Sequence, residues 1–163
     1  MKKLTTNHVL CKQPVPQTIV SCRDEKGRNT ALVVGFTANV SLDPPMVMVG
    51  IVPSRYSYHM VKETKCFVIN LPKRSLKKEY AYLGSRSGRD EDKFDALELK
   101  WEDAKYVNAP LLTDCPVSIE CSVVESTMPG IHELFIGKVE AVHVDEEYLD
   151  EKGNILWNKM ELI

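Results

Sequence analysis

NTALVVGFTANVSLDPPMVMVGIVPSRYSYH, residues 29–59, contains the features that decide the fold. A segment of small and β-branched residues leads into the corner Ser41–Pro45, and the wholly apolar run Met46–Val52 follows. The two prolines fix consecutive φ angles near about −65° and remove two N–H donors, so the corner is stiff. Ser and Arg residues then cluster in Ser54–Ser57. This order joins an accessible backbone, a rigid turn, a buried strand and a potential anion site.

Length and charge set broad limits. The chain has 163 residues, which predicts a single domain over 1–163 with its own hydrophobic core. A net charge of −2 gives no global basic field that would hold nucleic acid or an anionic membrane. The longest apolar run is far shorter than the roughly 20 residues of a membrane helix, and the start lacks an apolar signal segment. We therefore expect a soluble, cytoplasmic protein.

The cysteines and histidines predict no metal site. Five cysteines at irregular spacing include no C-x-x-C pair, which argues against a disulfide framework or structural zinc. Cys66 and Cys121 lie in apolar or alternating segments and are predicted to be core thiols, whereas Cys11 and Cys22 are harder to place. The four histidines show no ligand spacing. His59, one helical turn from Arg55, is a candidate contact to phosphate or substrate, although a spectator role is the commoner one.

Strands dominate the hydrophobic pattern. Val117–Val123 alternates apolar and polar residues, which predicts a half-exposed antiparallel strand with Ser118 and Glu120 on its outer face. Glu133–Val144 is apolar on both faces, and its Gly137 marks a bulge or a close backbone approach. This longer strand is predicted to cross a barrel or an interface.

Further strands lie in the first half of the chain. Thr18–Cys22 and Ala31–Val34 are predicted to form a hairpin, because turn-forming Asp24 and Gly27 separate them. Met46–Val52 is apolar on both faces, which predicts a central strand covered on both sides.

Helices are fewer and short. Ser54–Thr64 begins with a capping-type Ser, and Lys73–Leu83 is amphipathic; a polar loop, residues 84–92, follows. The strand Cys66–Leu71 lies between the two helices. So many strands with so few helices argue against a doubly wound parallel sheet. The prediction is a mainly β fold, an antiparallel barrel with short helices, whose rim is a natural ligand site.

Two segments carry chemistry at this rim. The backbone of Thr37–Asn39 could approach a ring system and bond its heteroatoms, although an ordinary strand explains these residues equally well. Ser54, Arg55 and Ser57 place two hydroxyls and a guanidinium at a predicted helix N-terminus, where free N–H groups favour an anion. A solvated helix cap is the competing interpretation, and the combination of both segments favours a phosphorylated, planar ligand.

Six short motifs follow one another in order: Asn29-Thr-Ala, Phe36-Thr-Ala-Asn-Val-Ser, Asp43-Pro-Pro, Arg55-Tyr-Ser-Tyr, Phe67-Val-Ile-Asn-Leu-Pro72 and Asp92-Lys-Phe94. This ordered set resembles the flavin-reductase-like FMN-binding proteins with a split β-barrel, which include the flavoredoxins. The resemblance is strong from about Pro14 to Phe94 and rests on strand pattern beyond that point.

The resemblance implies an antiparallel Greek-key split barrel that forms a homodimer, with one FMN per subunit at the barrel rim near the dimer interface. By position, the residues facing the isoalloxazine or lying close to it would be Thr37, Ala38, Asn39, Asn29, Thr30 and Ser41. The phosphate contacts would be Ser54, Arg55 and Ser57. Lys93 would be a phosphate or ribityl contact, with a solvated loop lysine as the alternative.

The implied activity needs no nucleophile, because a flavin itself accepts and passes on the hydride. The sequence has no G-x-S-x-G, no Walker A loop and no Rossmann G-x-G-x-x-G, so NAD(P)H would bind transiently above the flavin. We expect an NAD(P)H-dependent flavin reductase that serves a flavin, a redox partner protein or a small acceptor. An electron carrier without catalysis and a barrel without cofactor are the alternatives. The acceptor, the choice between NADH and NADPH, and any redox role of Cys11 or Cys22 stay open.

Overall fold

The computed structural model describes residues 1–7 and 12–163, so His8 and Cys11 lie outside the described part. The strands are β1 (Thr18–Arg23), β2 (Asn29–Val34), β3 (Thr37–Leu42), β4 (Pro45–Ile51), β5 (Cys66–Leu71), β6 (Trp101–Asp103), β7 (Pro110–Leu112), β8 (Val117–Thr127) and β9 (Glu133–Val144). The α-helices are α1 (Tyr56–Thr64), α2 (Lys77–Ser85) and α3 (Lys93–Ala96). No described helix is both long and apolar enough to cross a membrane.

Seven strands form one antiparallel sheet in the order β2-β1-β5-β8-β9-β4-β3. Its two edge strands, β2 and β3, are joined by only Gly35 and Phe36. A flat sheet of this size would hold its edges about 29 Å apart at about 4.8 Å per strand, whereas this connection spans at most about 11 Å. The sheet must therefore roll up, which confirms the predicted mainly β barrel.

The barrel interior is apolar and closely packed. Phe67 and Phe135 are fully buried inside it, and Met60 of α1 packs against the same core cluster. A Cβ atom at Gly137 would lie 2.7 Å from Cζ of Phe67 and 2.9 Å from Cβ of Cys121. The predicted close approach at Gly137 is confirmed, because only glycine leaves room for the Phe67 ring.

The prediction that the polar face of β8 is exposed is wrong. Ser118 and Glu120 are buried: the segment between β6 and β7 packs on Glu120, and the Ser118 hydroxyl donates to Oδ1 of Asn70. Glu120 accepts hydrogen bonds from the backbone N–H groups of Lys105 (2.9 Å) and Tyr106 (2.6 Å) and contacts Nε2 of His143 at 2.6 Å. Burial opposes ionisation, but these bonds outweigh it and lower the pKa of Glu120.

The β1–β2 hairpin and the apolar strand β4 both form where predicted, but β4 occupies a different place in the sheet. The hairpin of β1 and β2 is confirmed, with Gly27 at φ 85° in its turn. β4 is not central, because it lies one strand from the sheet edge, and its Met46 and Met48 are only half-buried.

The first helix begins later than predicted. Arg55, not Ser54, is its N-cap, because a turn closed by the 2.9 Å bond from the Arg55 N–H to the Val52 carbonyl precedes it. The second helix is preceded by a 3₁₀ turn at Arg74–Leu76 and extends to Ser85.

The described cysteines are core thiols. Cys66 and Cys121 are buried as predicted, and Cys22 and Cys115 are buried as well. Burial raises the pKa of Cys115 and Cys121 to about 12 and raises that of Cys22 and Cys66 too. These thiols are therefore poor nucleophiles.

Candidate cofactor site

A cavity of about 220 Å³ opens beside the start of α1. Three segments line it: residues 30–33 of β2, residues 54–57 at the start of α1, and residues 83–89 at and beyond the end of α2, together with Lys93. The hydrogen-bonding groups at this cavity are hydroxyls, cations and backbone N–H groups. Such a set favours an anionic ligand.

Ser57 is the most informative of these residues. Its side chain is 3% exposed, and its Oγ has no hydrogen-bond partner within the described chain. It lies in the first turn of α1, where the helix N-terminus favours negative charge. A buried hydroxyl without a partner costs about 1–3 kcal/mol, so a ligand atom is the expected partner.

Lys93 forms the floor beside Ser57. It is 4% exposed, which contradicts the interpretation of a solvated loop lysine. Its Nζ donates to the carbonyls of Leu83 (3.3 Å) and Arg86 (3.2 Å) near the C-terminal end of α2, which leaves one of its three donors for a ligand. Burial lowers the pKa of Lys93 to about 8.

Arginines surround the cavity mouth. Arg55, Arg86 and Arg89 line it with exposed side chains, and Nη1 of Arg89 donates to the Ser54 carbonyl at 2.9 Å. Arg28 stands nearby, with its guanidinium 5.2 Å from the centre of the Tyr56 ring. The mouth is therefore strongly basic, although the whole chain has a net charge of −2.

The loop of residues 86–92 folds over the cavity because of Gly88. A Cβ atom there would lie 2.5 Å from Cδ1 of Tyr56 and 2.9 Å from Oγ1 of Thr30. Arg28 donates to the Gly88 carbonyl at 3.1 Å, and Glu91 accepts a 2.6 Å bond from the Tyr82 hydroxyl. Both contacts hold the loop in place.

This loop contains the site residues that the sequence analysis missed, Arg86, Ser87 and Arg89. Its composition carried a usable signal, since residues 85–89 repeat the mixture of Ser and Arg found in residues 54–57.

The residues predicted for the phosphate come together and are joined by Thr30, which was predicted for the ring; the other residues predicted for the ring lie apart from them. Five predicted residues line the cavity: Thr30, Ser54, Arg55, Ser57 and Lys93. Four others lie on the edge strand β3: Thr37, Ala38, Asn39 and Ser41. The start of β3 is at the cavity end of the barrel, because Thr37 pairs with Val49 and β4 ends two residues later. Ser41 is four residues further along, about 13 Å away.

Asn29 and His59 are placed differently. Oδ1 of Asn29 accepts a 2.7 Å bond from Nε of Arg23, and its side chain points to the opposite face of β2 from Thr30. His59 is exposed on α1, with its ring 5.4 Å from that of Tyr56, and is outside the cavity lining. The structure therefore gives neither residue a direct contact with the cavity.

Comparison with known proteins identifies the family. The family model described as "Flavin reductase like domain" matches residues 11–160. The chain belongs to this family. The "NADH:riboflavin 5'-phosphate oxidoreductase" of Streptomyces pristinaespiralis is 27% identical over 149 residues, which is 90% of this chain and 78% of that protein.

Solved structures of similar proteins agree with this assignment. A flavoredoxin from Methanosarcina acetivorans matches with a TM-score of 0.91 and 26% identity over 99% of this chain and 85% of its own. An FMN-binding protein from Thermus thermophilus matches with a TM-score of 0.81 and 26% identity over 95% and 84%. The flavin reductase-like split barrel is therefore the fold of this chain.

The cavity fits the phosphate end of a flavin nucleotide such as FMN, which the Thermus thermophilus protein binds. It offers an unpartnered buried hydroxyl, a buried ammonium with one free donor and the guanidinium group of Arg55 at the start of α1. Phosphate monoesters present three strong acceptor oxygens and carry about −1.5 to −2 charge at neutral pH. The hydrogen-bond donors of the cavity match the acceptor oxygens of a phosphate, and the cations of the cavity match its negative charge.

Proposed function

We propose that the protein is an FMN-dependent oxidoreductase that takes a hydride from a reduced nicotinamide dinucleotide and passes electrons to a flavin, a protein or a small acceptor. The observation that carries the proposal is the unpartnered, buried Ser57 hydroxyl in a cationic cavity. The Streptomyces relative, an NADH:riboflavin 5'-phosphate oxidoreductase, supports the same reaction class.

In this proposal the chain holds and orients the cofactor. Ser57, Lys93 and Arg55 bind the phosphate, and Ser54 and Thr30 complete the polar wall. Bound FMN would supply the hydride-accepting chemistry, so no nucleophilic side chain is needed. The described thiols are buried with raised pKa values, which fits a chemistry that does not use them.

The start of β3 is the proposed ring-binding element. β3 has one strand neighbour, β4, so half of its backbone hydrogen-bonding groups point away from the sheet. Ala38 and Asn39 are exposed, and the backbone there is open to a planar ligand. N–H groups at this edge would bond the ring heteroatoms and tune their electron affinity.

We also propose that two copies associate through the β3 edge. Val40 is exposed, and Leu42 has a relative exposure of 91%, which leaves apolar surface on an unpaired strand. Sedimentation analysis should give a dimer for the wild type and a monomer for Leu42→Glu. Leu4→Glu is the control, because Leu4 is also strongly exposed but lies in the N-terminal segment. A wild-type monomer at micromolar concentration contradicts this assembly.

One experiment tests the function directly. FMN-free protein is mixed with FMN, and the complex is then treated with NADH or NADPH without oxygen while the flavin absorption band is followed. Rapid bleaching supports the reductase. Bleaching only by a partner protein or a strong reductant favours the electron carrier, and failure to take up FMN contradicts both functions.

The variant Arg55→Ala should weaken FMN binding by about 1.5–3 kcal/mol, the range for a hydrogen bond to a charged group. Arg74→Ala is the matched control, because Arg74 is an exposed arginine at the other end of α2. Equal affinity of the two variants removes Arg55 from the phosphate site.

A further inference from the structure

The cavity carries more positive charge than one phosphate requires. Five cations surround it: Arg28, Arg55, Arg86, Arg89 and Lys93. None of them belongs to an ion pair within the described residues. An FMN phosphate carries about −2 charge and can pair with about two of these cations, which leaves about three without an anionic partner in an ion pair.

The carboxylates of the same loop form no ion pair with these cations within the described residues. Glu91 accepts its bond from the Tyr82 hydroxyl, and Asp92 caps α3 by accepting from the N–H groups of Phe94 and Asp95. Asp90 is exposed in the same loop. The hydrogen bonds of Glu91 and Asp92 are made within the loop, so the N–H donors of the arginines remain available to an anion.

The donors lie in two layers. Ser57, Lys93 and Thr30 are buried at the bottom, and the exposed Arg55 lies two residues before Ser57 at the start of α1. The exposed Arg86 and Arg89 belong instead to the loop after α2. A phosphate bound at the bottom would leave these two guanidinium groups facing solvent. Arg89 uses one of its five N–H groups on the Ser54 carbonyl, and the Arg86 guanidinium lies 5.6 Å from the centre of the Tyr82 ring. Both retain donors for a second anion.

We propose that Arg86 and Arg89 bind the 2′-phosphate of NADPH and make this nucleotide the preferred hydride donor. The inference rests on the proposed oxidoreductase function. A 2′-phosphate is a monoester with about −2 charge, which two guanidinium groups can bind bidentately. A flavin dinucleotide in place of FMN would not supply an anion for Arg86 and Arg89. Its diphosphate bridge carries no more negative charge than the single phosphate of FMN.

Binding of nucleotide fragments tests this without turnover. Adenosine 2′,5′-bisphosphate and adenosine 5′-monophosphate are titrated into the FMN-loaded protein by calorimetry. The wild type should bind the bisphosphate about tenfold more tightly than the monophosphate. This ratio of the two affinities should be smaller at high salt. The double variant Arg86→Gln, Arg89→Gln should bind both fragments equally. In each single variant the affinity ratio of bisphosphate over monophosphate should fall about threefold. Arg74→Gln, with the same charge removed elsewhere, should keep it.

The outcomes separate the two proposals. Equal binding of both fragments by FMN-loaded wild type overturns the NADPH site while the flavin function stands. Failure of the wild type to bind FMN contradicts the proposed function itself. FMN affinity of the double variant should stay within about threefold of wild type; a loss as large as that of Arg55→Ala assigns these arginines to the FMN phosphate and overturns the proposal. The ratio of kcat/KM for NADPH over NADH should fall in parallel with the binding ratio.

Discussion

Replacing Ser57 by Ala should have opposite effects on the free and the FMN-loaded protein. Ser57 is 3% exposed and its buried hydroxyl lacks a partner in the described chain, so the free protein bears the desolvation cost of that hydroxyl, about 1–3 kcal/mol. Ser57→Ala removes that cost and leaves only a void the size of one oxygen atom. The free energy of unfolding of the FMN-free protein should therefore stay equal or rise by about 1 kcal/mol.

FMN binding should respond in the other direction. A hydrogen bond from a hydroxyl to a charged phosphate contributes about 1.5–3 kcal/mol, so Ser57→Ala should raise Kd by about 10- to 150-fold. Urea unfolding measures the first effect, and titration of flavin fluorescence measures the second.

Ser118→Ala is the matched control. Ser118 is equally buried, at 4% exposure, but its hydroxyl donates to Oδ1 of Asn70 at 2.8 Å. Its removal should cost about 1–2 kcal/mol of stability and leave FMN affinity unchanged. If Ser57→Ala destabilises the free protein as much as Ser118→Ala does and binds FMN normally, the argument from the unpartnered hydroxyl is refuted.

Three further predictions follow from the charges and the close contacts. Because burial lowers the pKa of Lys93 to about 8 and the phosphate needs its charged form, FMN affinity should fall as pH rises above about 8. Lys93→Met should abolish this dependence in fluorescence titrations. The hydrogen bond from Tyr58 helps to lower the pKa of Glu133 from 4.5 to about 2, so its stabilisation is complete above pH 4.5 and is lost as pH falls towards 2. Glu133→Gln should flatten the fall of Tm in that range, and an unchanged slope would assign acid unfolding elsewhere. Gly88→Ala should weaken FMN binding by displacing the loop from Tyr56, whereas Gly130→Ala, with nothing within 4 Å, should not; equal affinities would contradict the loop's role.

The sequence predicted those parts of the fold that depend on local pattern. The alternation in β8, the turn residues before β2 and the Asp-Pro-Pro corner each depend on neighbours in the chain, and all lie where expected. Whether the polar face of β8 is covered depends on the distant segment between β6 and β7. Alternation therefore predicts an exposed face for Glu120, because it distinguishes the two faces of a strand and not what packs on each.

The residues of the site that are neighbours in sequence could also be predicted, and those that come from a distant loop could not. Ser54, Arg55 and Ser57 are adjacent in sequence at a helix start, so their shared location followed from local structure. Arg86 and Arg89 reach the same cavity only because Gly88 lets their loop approach Tyr56. A polar loop has the same composition whether it covers a site or faces solvent. The spacing of residues in the sequence therefore does not predict the contact between the loop at Gly88 and Tyr56.

The most direct test of the phosphate site compares FMN with riboflavin, which has the same ring and no phosphate. The wild type should bind FMN at least about 100-fold more tightly, the equivalent of about 3 kcal/mol from charge-assisted hydrogen bonds. Ser57→Ala and Arg55→Ala should each reduce this ratio without changing riboflavin affinity. Equal binding of FMN and riboflavin by the wild type would contradict the assignment of the cavity at Ser57 to the phosphate.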